Sequence, residues 1–278
     1  MKISELLNKF RKDMEVKNFS PRTIENYCAK AKLFLEHFSG KDIRKLSFDQ
    51  IKGYLHYLIS ERNNGASTIK STIGAIKNLY TFTLNIKWKY KNLPVPKLPN
   101  RIPVIISKEA VCQIIEATTN IKHKTMLLLL YTSGMRISEL LSLKVQDIDS
   151  KRMQIRILGK GNKYRYTILS VYCLKTLRSY WKKYKPEKYL FEGAGSREKY
   201  SKSSVRNILA KSVKLAGVKQ QIIVHTLRHC FATHLLEEGV NIVTVKNLMG
   251  HTNLKTTMRY IHLQKRPDLD KHPFDNFL

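Results

Sequence analysis

The stretch His225-Thr226-Leu227-Arg228-His229-Cys230-Phe231-Ala232-Thr233-His234 decides how this chain is read. Its apolar pattern predicts a helix over about 226–237. On such a helix His225 and His229, at i and i+4, share a face, and Arg228 follows His225 by three residues. A His-x-x-Arg pair presents two hydrogen-bond donors to one anion, and a guanidinium can hold two phosphate oxygens at once. The same spacing fits a two-histidine zinc helix poorly. Thr226 stands where such a helix needs its glutamate base, and Arg228, beside His229, opposes a dication.

Two flanking stretches supply further polar groups. Upstream, Thr132-Ser133-Gly134-Met135-Arg136-Ile137-Ser138-Glu139-Leu140 ends one apolar helix at Gly134 and opens the next at Arg136. A cation at a helix start is unfavourable by itself, which makes an anionic ligand there more plausible than a plain surface arginine. Downstream, Leu248-Met249-Gly250-His251-Thr252-Asn253 ends a helix, turns through His251 and caps a short helix carrying Tyr260. Taken singly, Tyr260 reads as a half-buried core aromatic and His251 as a helix C-terminal cation. Between these stretches, alternation over 153–158 and 164–168 predicts a β-hairpin whose turn holds Lys160, with Lys163 in the same turn. The set contains no carboxylate cluster of the kind that holds Mg²⁺ in metal nucleases, so any charge stabilisation falls to side chains. A tyrosine flanked by cations is a feasible nucleophile.

The whole chain agrees with an anionic partner. It has 278 residues, 42% hydrophobic and 26% charged, with 51 Lys plus Arg against 21 Asp plus Glu, a net charge of +30. That excess points first to nucleic acid and second to an anionic membrane surface, and away from ordinary small-metabolite enzymes. The longest apolar run, Met126–Tyr131, is far below the roughly 20 residues a membrane span needs. The opening Met1-Lys2-Ile3-Ser4-Glu5 has no apolar core of a signal peptide. The four cysteines (Cys28, Cys112, Cys173, Cys230) are scattered, as expected of reduced thiols. These features lead us to expect a cytoplasmic, nucleoid-associated protein without metal or cofactor.

Four of the eight prolines fall between Asn92 and Pro103. This divides the chain into a helical part, 1–92, a linker, 93–103, and a mixed part, 104–278. The first part shows four helical patterns, including Ser20-Pro21-Arg22-Thr23, with Ser20 as N-cap and Pro21 at the first helical position. Both parts are basic, so both are expected to touch the polyanion.

Read together and in order, Gly134–Leu140, Lys160, His225–His234, Leu248–Thr252 and Thr256–Tyr260 resemble the tyrosine recombinases of the phage-integrase and Xer-like type. Ser20–Tyr27 is similar to the opening of that family's core-binding domain, so the resemblance spans nearly the whole chain. It implies a mainly α fold with a small β-sheet: an all-helical, SAM-like core-binding domain and an α+β catalytic domain, closing as a C-shaped clamp on DNA. By the same resemblance Tyr260 is the nucleophile, Arg136 and Arg228 clamp the scissile phosphate, and Lys160 protonates the leaving 5′-oxygen. His225 assists proton transfer at Tyr260 and His251 bonds the phosphate. Glu139 orients an active-site Arg or His, and His229 has a supporting role. Strand exchange would run through a 3′-phosphotyrosine and a Holliday junction in a homo-tetramer on double-stranded DNA, with the C-terminal tail (Pro267–Leu278) docked on a neighbouring protomer or on its own domain.

Candidate DNA contacts are Arg22, Thr23, Lys70 and Lys77 in the first part. In the second they are Lys202, Ser204, Arg206 and Lys211, on a helix that in the family lies in the major groove. A solvated basic face is the competing reading for each. Three other functions stay open: a DNA-binding protein of the same fold without catalysis, a type IB topoisomerase-like relaxation activity, and a metal nuclease using the histidines.

Overall fold

Helix-capping chemistry sets the beginning of nearly every element. The computed structural model describes residues 2–90, 92–94, 96, 103–159, 164–193 and 198–263. It divides into two units, Met1–Arg101 and Ile102–Leu278. The first unit consists of α1 (Ile3–Val16), α2 (Pro21–His37), α3 (Phe48–Ser60) and α4 (Ala66–Asn78), the last prolonged by a π-helical turn, Leu79–Thr83. Ser20 caps α2, its Oγ accepting from Thr23 N at 3.3 Å, with Pro21 in the first turn. Ser47 and Gln50 form a reciprocal capping box on α3. Phe10, Phe34, Ile51, Ile69 and Ile76 close the core, and the buried Tyr80 donates its hydroxyl to Ile43 O.

The second unit is built around α6 (Ile121–Ser133), which packs against α5 (Lys108–Glu116), α8 (Val171–Tyr184), α9 (Lys202–Leu215) and α10 (Val224–Glu237). Consecutive residues Thr125–Leu130 are all buried, so α6 is a core helix rather than an amphipathic one. The remaining helices are α7 (Ile137–Leu140), α11 (Ile242–Met249) and α12 (Leu254–Met258).

A three-stranded antiparallel sheet in the order β1 (Ile148–Asp149), β2 (Gln154–Leu158), β3 (Tyr164–Ile168) stands beside these helices. The hairpin expected from alternation is β2–β3, in register Gln154↔Ile168 to Leu158↔Tyr164. The short β1 is an addition that two residues could not announce by alternation. Ile155, Ile157 and Thr167 point inward, and Arg165 shares the inward face of β3. The hairpin turn with Lys160, the C-terminal tail and most of the linker lie outside the described residues. Among the described residues no helix is long and apolar enough to cross a membrane.

Candidate active site

Two glycines end helices at the points where the site begins. Gly134 (φ 60°) terminates α6 and Gly250 (φ 64°) terminates α11, both in the left-handed region that a Cβ disfavours. Space forbids a side chain too: a Cβ on Gly134 would run into the Phe231 ring, and one on Gly250 would meet Arg165 at 2.7 Å. The chain therefore reverses sharply into Arg136 on one side and His251 on the other.

Arg228 lies on α10 between these two turns and is only 2% exposed. Its guanidinium donates to Gly134 O and, at 2.6 Å, to Met249 O, the carbonyls ending α6 and α11. Negative helix C-termini thus offset part of the cost of burying this charge. A third donation goes to His251 Nε2 at 3.1 Å. A guanidinium can only donate, so Nε2 carries a lone pair and Nδ1 carries the hydrogen, which reaches Thr257 Oγ1 at 2.9 Å. Burial, with Arg228 and Arg136 close by, pushes His251 down to about 4, in keeping with a neutral ring. Burial and Arg136 likewise lower Arg228 to about 10, which still leaves it charged at neutral pH.

Glu139 is the carboxylate of the site, and cations surround it. Its oxygens accept from Arg136 N (2.7 Å) and Arg136 Nη1 (2.9 Å), and bidentately from Arg165 at 2.9 and 2.8 Å. Arg228 Nη1 stands 4.0 Å away. Burial alone would raise the Glu139 carboxyl, but the Arg165 and Arg136 bonds and charges reverse this and hold it below the ordinary range. Arg165 also donates from Nε to Leu248 O at 3.0 Å, tying the sheet to the end of α11. The sequence reading missed Arg165. The available signal was an arginine at an inward position of an alternating strand, which demands a buried partner.

Tyr260 is 2% exposed and lies two residues beyond the last residue of α12, whereas the sequence pattern predicts it on that helix. Arg259 and Tyr260 form a turn that leads into a short 3₁₀ segment, Ile261–Leu263. The Tyr260 hydroxyl is 2.9 Å from His229 Nδ1, and its ring stacks on His251 at 6.4 Å between centroids with planes 12° apart. Burial raises the Tyr260 phenol while Arg228, Arg259 and Arg136 pull it down, and burial wins. His229 is pushed down to about 4 by burial, then by His225, Arg259 and Arg228. His225 is exposed on the same face of α10, its ring edge-on to His229 at 4.6 Å. Burial of part of its ring, with Arg228 and Arg136, lowers it as well.

The structure therefore brings Arg136, Glu139, His225, Arg228, His229, His251 and Tyr260 into one cluster. His229, rather than His225, meets the Tyr260 hydroxyl. The candidate DNA contacts are dispersed. Arg22, Lys70 and Lys77 are exposed on α2 and α4, while the Thr23 hydroxyl is engaged with Ser20 Oγ at 2.7 Å. Arg206 and Lys211 are exposed on α9, whereas Lys202 and Ser204 are half-buried and the Ser204 hydroxyl sits 2.8 Å from the capping Ser201. Among the described residues no three His, Cys, Asp or Glu side chains gather as a metal site.

Comparisons with known proteins identify the family. Residues 105–266 match the phage integrase family, and residues 6–90 match the phage integrase N-terminal SAM-like domain. A tyrosine recombinase of Pseudothermotoga lettingae is 34% identical over 274 residues, covering 94% of this chain and 93% of that one. The tyrosine recombinase XerC of Staphylococcus haemolyticus is 31% identical over 281 residues, covering 92% and 93%. Among solved structures, XerA recombinase aligns over 95% of both chains at 28% identity with a TM-score of 0.56. XerH recombinase in a post-cleavage complex with its difH substrate aligns over 91% of this chain and 80% of that one, at 21% identity and a TM-score of 0.74, a likeness of fold. The chain belongs to the phage integrase family, the tyrosine recombinases, DNA strand-transferring enzymes of site-specific recombination.

Proposed function

We propose that this protein cuts and rejoins double-stranded DNA at a specific site through a 3′-phosphotyrosine on Tyr260, without metal or ATP. The observation that carries the reading is the Tyr260 hydroxyl, at 2.9 Å from a neutral His229 ring nitrogen and under the pull of Arg228, Arg136 and Arg259. The phenol is protonated at rest and needs a base, and His229 Nδ1 is placed to take its proton as the oxygen attacks phosphorus. Arg136 and Arg228 hold the non-bridging oxygens and stabilise the charge of the pentacoordinate phosphorane, the task a metal performs elsewhere, and His251 joins them once the bound phosphate draws Arg228 away from Nε2 and that nitrogen takes up a proton. His225, beside Arg136 on the exposed side, bonds the phosphate or relays the proton onward. Lys160 gives a proton to the leaving 5′-oxygen.

The phosphodiester bond energy stays in the tyrosyl ester, so a 5′-hydroxyl from a partner strand can displace Tyr260 and reseal the backbone. Glu139, the acid at this centre, is committed to Arg136 and Arg165, and this donor set suits an anion better than Mg²⁺. Two rounds of exchange run through a Holliday junction in a homo-tetramer. Both units, 1–92 and 104–278, joined by the linker 93–103, engage the duplex. Arg22, Thr23, Lys70 and Lys77 touch DNA from the first unit, and Lys202, Ser204, Arg206 and Lys211 from the second.

A plasmid carrying the DNA that flanks the gene, incubated with protein in EDTA and quenched with SDS, tests this. Wild-type protein should leave covalent protein–DNA adducts with free 5′-hydroxyl ends, and Tyr260→Phe should bind the same DNA without forming them. Equal adduct yield from Tyr260→Phe would remove Tyr260 as nucleophile, and loss of adduct in EDTA would return metal to the mechanism.

A further inference from the structure

Helix α9 separates two clefts. On one flank Met135, Arg136, Ile223 and His225 join Arg206 and Asn207 around a cleft of about 560 Å³. On the other, Asn120, His123 and Tyr200 join Ser204, Asn207 and Lys211 around one of about 410 Å³. Asn207 borders both, so α9 is a ridge between them. Its outward residues Ser203, Arg206, Asn207, Ala210 and Lys214 are exposed, and its sequence contains no Asp or Glu.

An α-helix with side chains is about 10–12 Å across, and the B-DNA major groove is about 12 Å wide with a sugar-phosphate backbone on each bank. A duplex that admits this ridge lays one backbone in each cleft. The first cleft contains Arg136 and His225 and so takes the strand that is cut, on the reading of the preceding section, on which this inference rests. The second faces the other strand. It suits a phosphate: Lys211 and His123 both line it, and burial, then the nearby Lys122 and Lys211 charges, push the His123 ring below its usual value. The ring is itself held, Nε2 lying 3.3 Å from the Tyr200 hydroxyl. Asn120 fixes the floor by accepting from Lys122 N and His123 N at 2.9 and 3.2 Å. The buried Thr118–Ser212 hydroxyl contact, 2.7 Å, locks the wall of α9 to the end of α5.

We propose that the cleft between α6 and α9, through Lys211 and His123, binds a backbone phosphate of the DNA strand opposite the one Tyr260 cleaves. The experiment uses a duplex whose cleavage point has been mapped with wild-type protein. Single methylphosphonates are placed along each strand in turn, and binding of the full-length chain is read by fluorescence anisotropy. One position on the uncut strand should weaken wild type about five-fold and leave Lys211→Ala unaffected, because the contact is already gone. Lys211→Ala should keep its sensitivity at every cut-strand phosphate, and His123→Gln should show reduced sensitivity at the same uncut-strand position. Lys211 is exposed, so its variant folds normally. If Lys211→Ala stays as sensitive as wild type along the uncut strand, or its lost contact falls on the cut strand, the cleft assignment is wrong while the recombinase reading stands. If wild-type protein cleaves no duplex, both fail.

Discussion

Arg165 and Glu139 show how a positioning residue works at the scale of single side chains. Arg165 is held bidentately by Glu139, which also holds Arg136, while its Nε reaches the end of α11 just before His251. One guanidinium therefore fixes two of the groups proposed to bind the phosphate. Arg165→Ala leaves a buried carboxylate half-paired and should cost about 3–5 kcal/mol in urea unfolding. Arg165→Lys keeps the charge but loses the fork and should recover much of that stability. Adduct formation should recover less, because Arg136 and His251 are no longer held in register. Equal recovery of both would mean Arg165 acts only as a structural ion pair. His229→Gln probes the other side of the site. It should slow adduct formation about 10²-fold or more while leaving DNA affinity unchanged, as for loss of a general base. An unchanged rate would move the base function elsewhere.

The helix ends carry the next level of the argument. α6 and α11 stop at glycines, and their terminal carbonyls are where the buried Arg228 finds partners. Gly250→Ala would drive a methyl into Arg165, so it should reduce adduct yield more strongly than it lowers Tm. Comparable losses in both would argue against a local effect. Acid should loosen the same region. His229 and His251 have folded-state values near 4, below the roughly 6.5 of an unfolded chain, so the unfolded state binds more protons in that interval. Their contribution to stability is present above about pH 6.5 and is lost as pH falls toward 4. Tm measured across that window should fall for wild type and fall less for His251→Asn. Parallel slopes would show that these rings are not the cause. The elements themselves were largely legible, because caps such as Ser20-Pro21, alternation over 153–158 and 164–168, and helical periodicity are local signals. Tyr260 was put on a helix because Leu254–Met258 begins as one. The turn at Arg259–Tyr260 is set by tertiary contacts with His229 and His251, which no local pattern carries. Arg165 was missed for the same reason: its partners lie 26 and 83 residues away.

For the molecule as a whole, a net charge of +30 points toward DNA independently of any motif. If each protomer neutralises about ten phosphates, log affinity should fall against log salt concentration with a slope near −9. A slope shallower than about −3 would mean that only one unit engages the duplex. On the proposed mechanism the link between protein and DNA is chemical rather than electrostatic: the Tyr260 oxygen becomes bonded to a DNA phosphate. The most direct test is to digest the SDS-quenched wild-type adduct, formed in EDTA, with nuclease and protease and locate the remaining nucleotide by mass spectrometry. A phosphonucleotide on Tyr260 is the result this account predicts. A nucleotide on any other residue, or cleaved DNA with no protein attached, would contradict it.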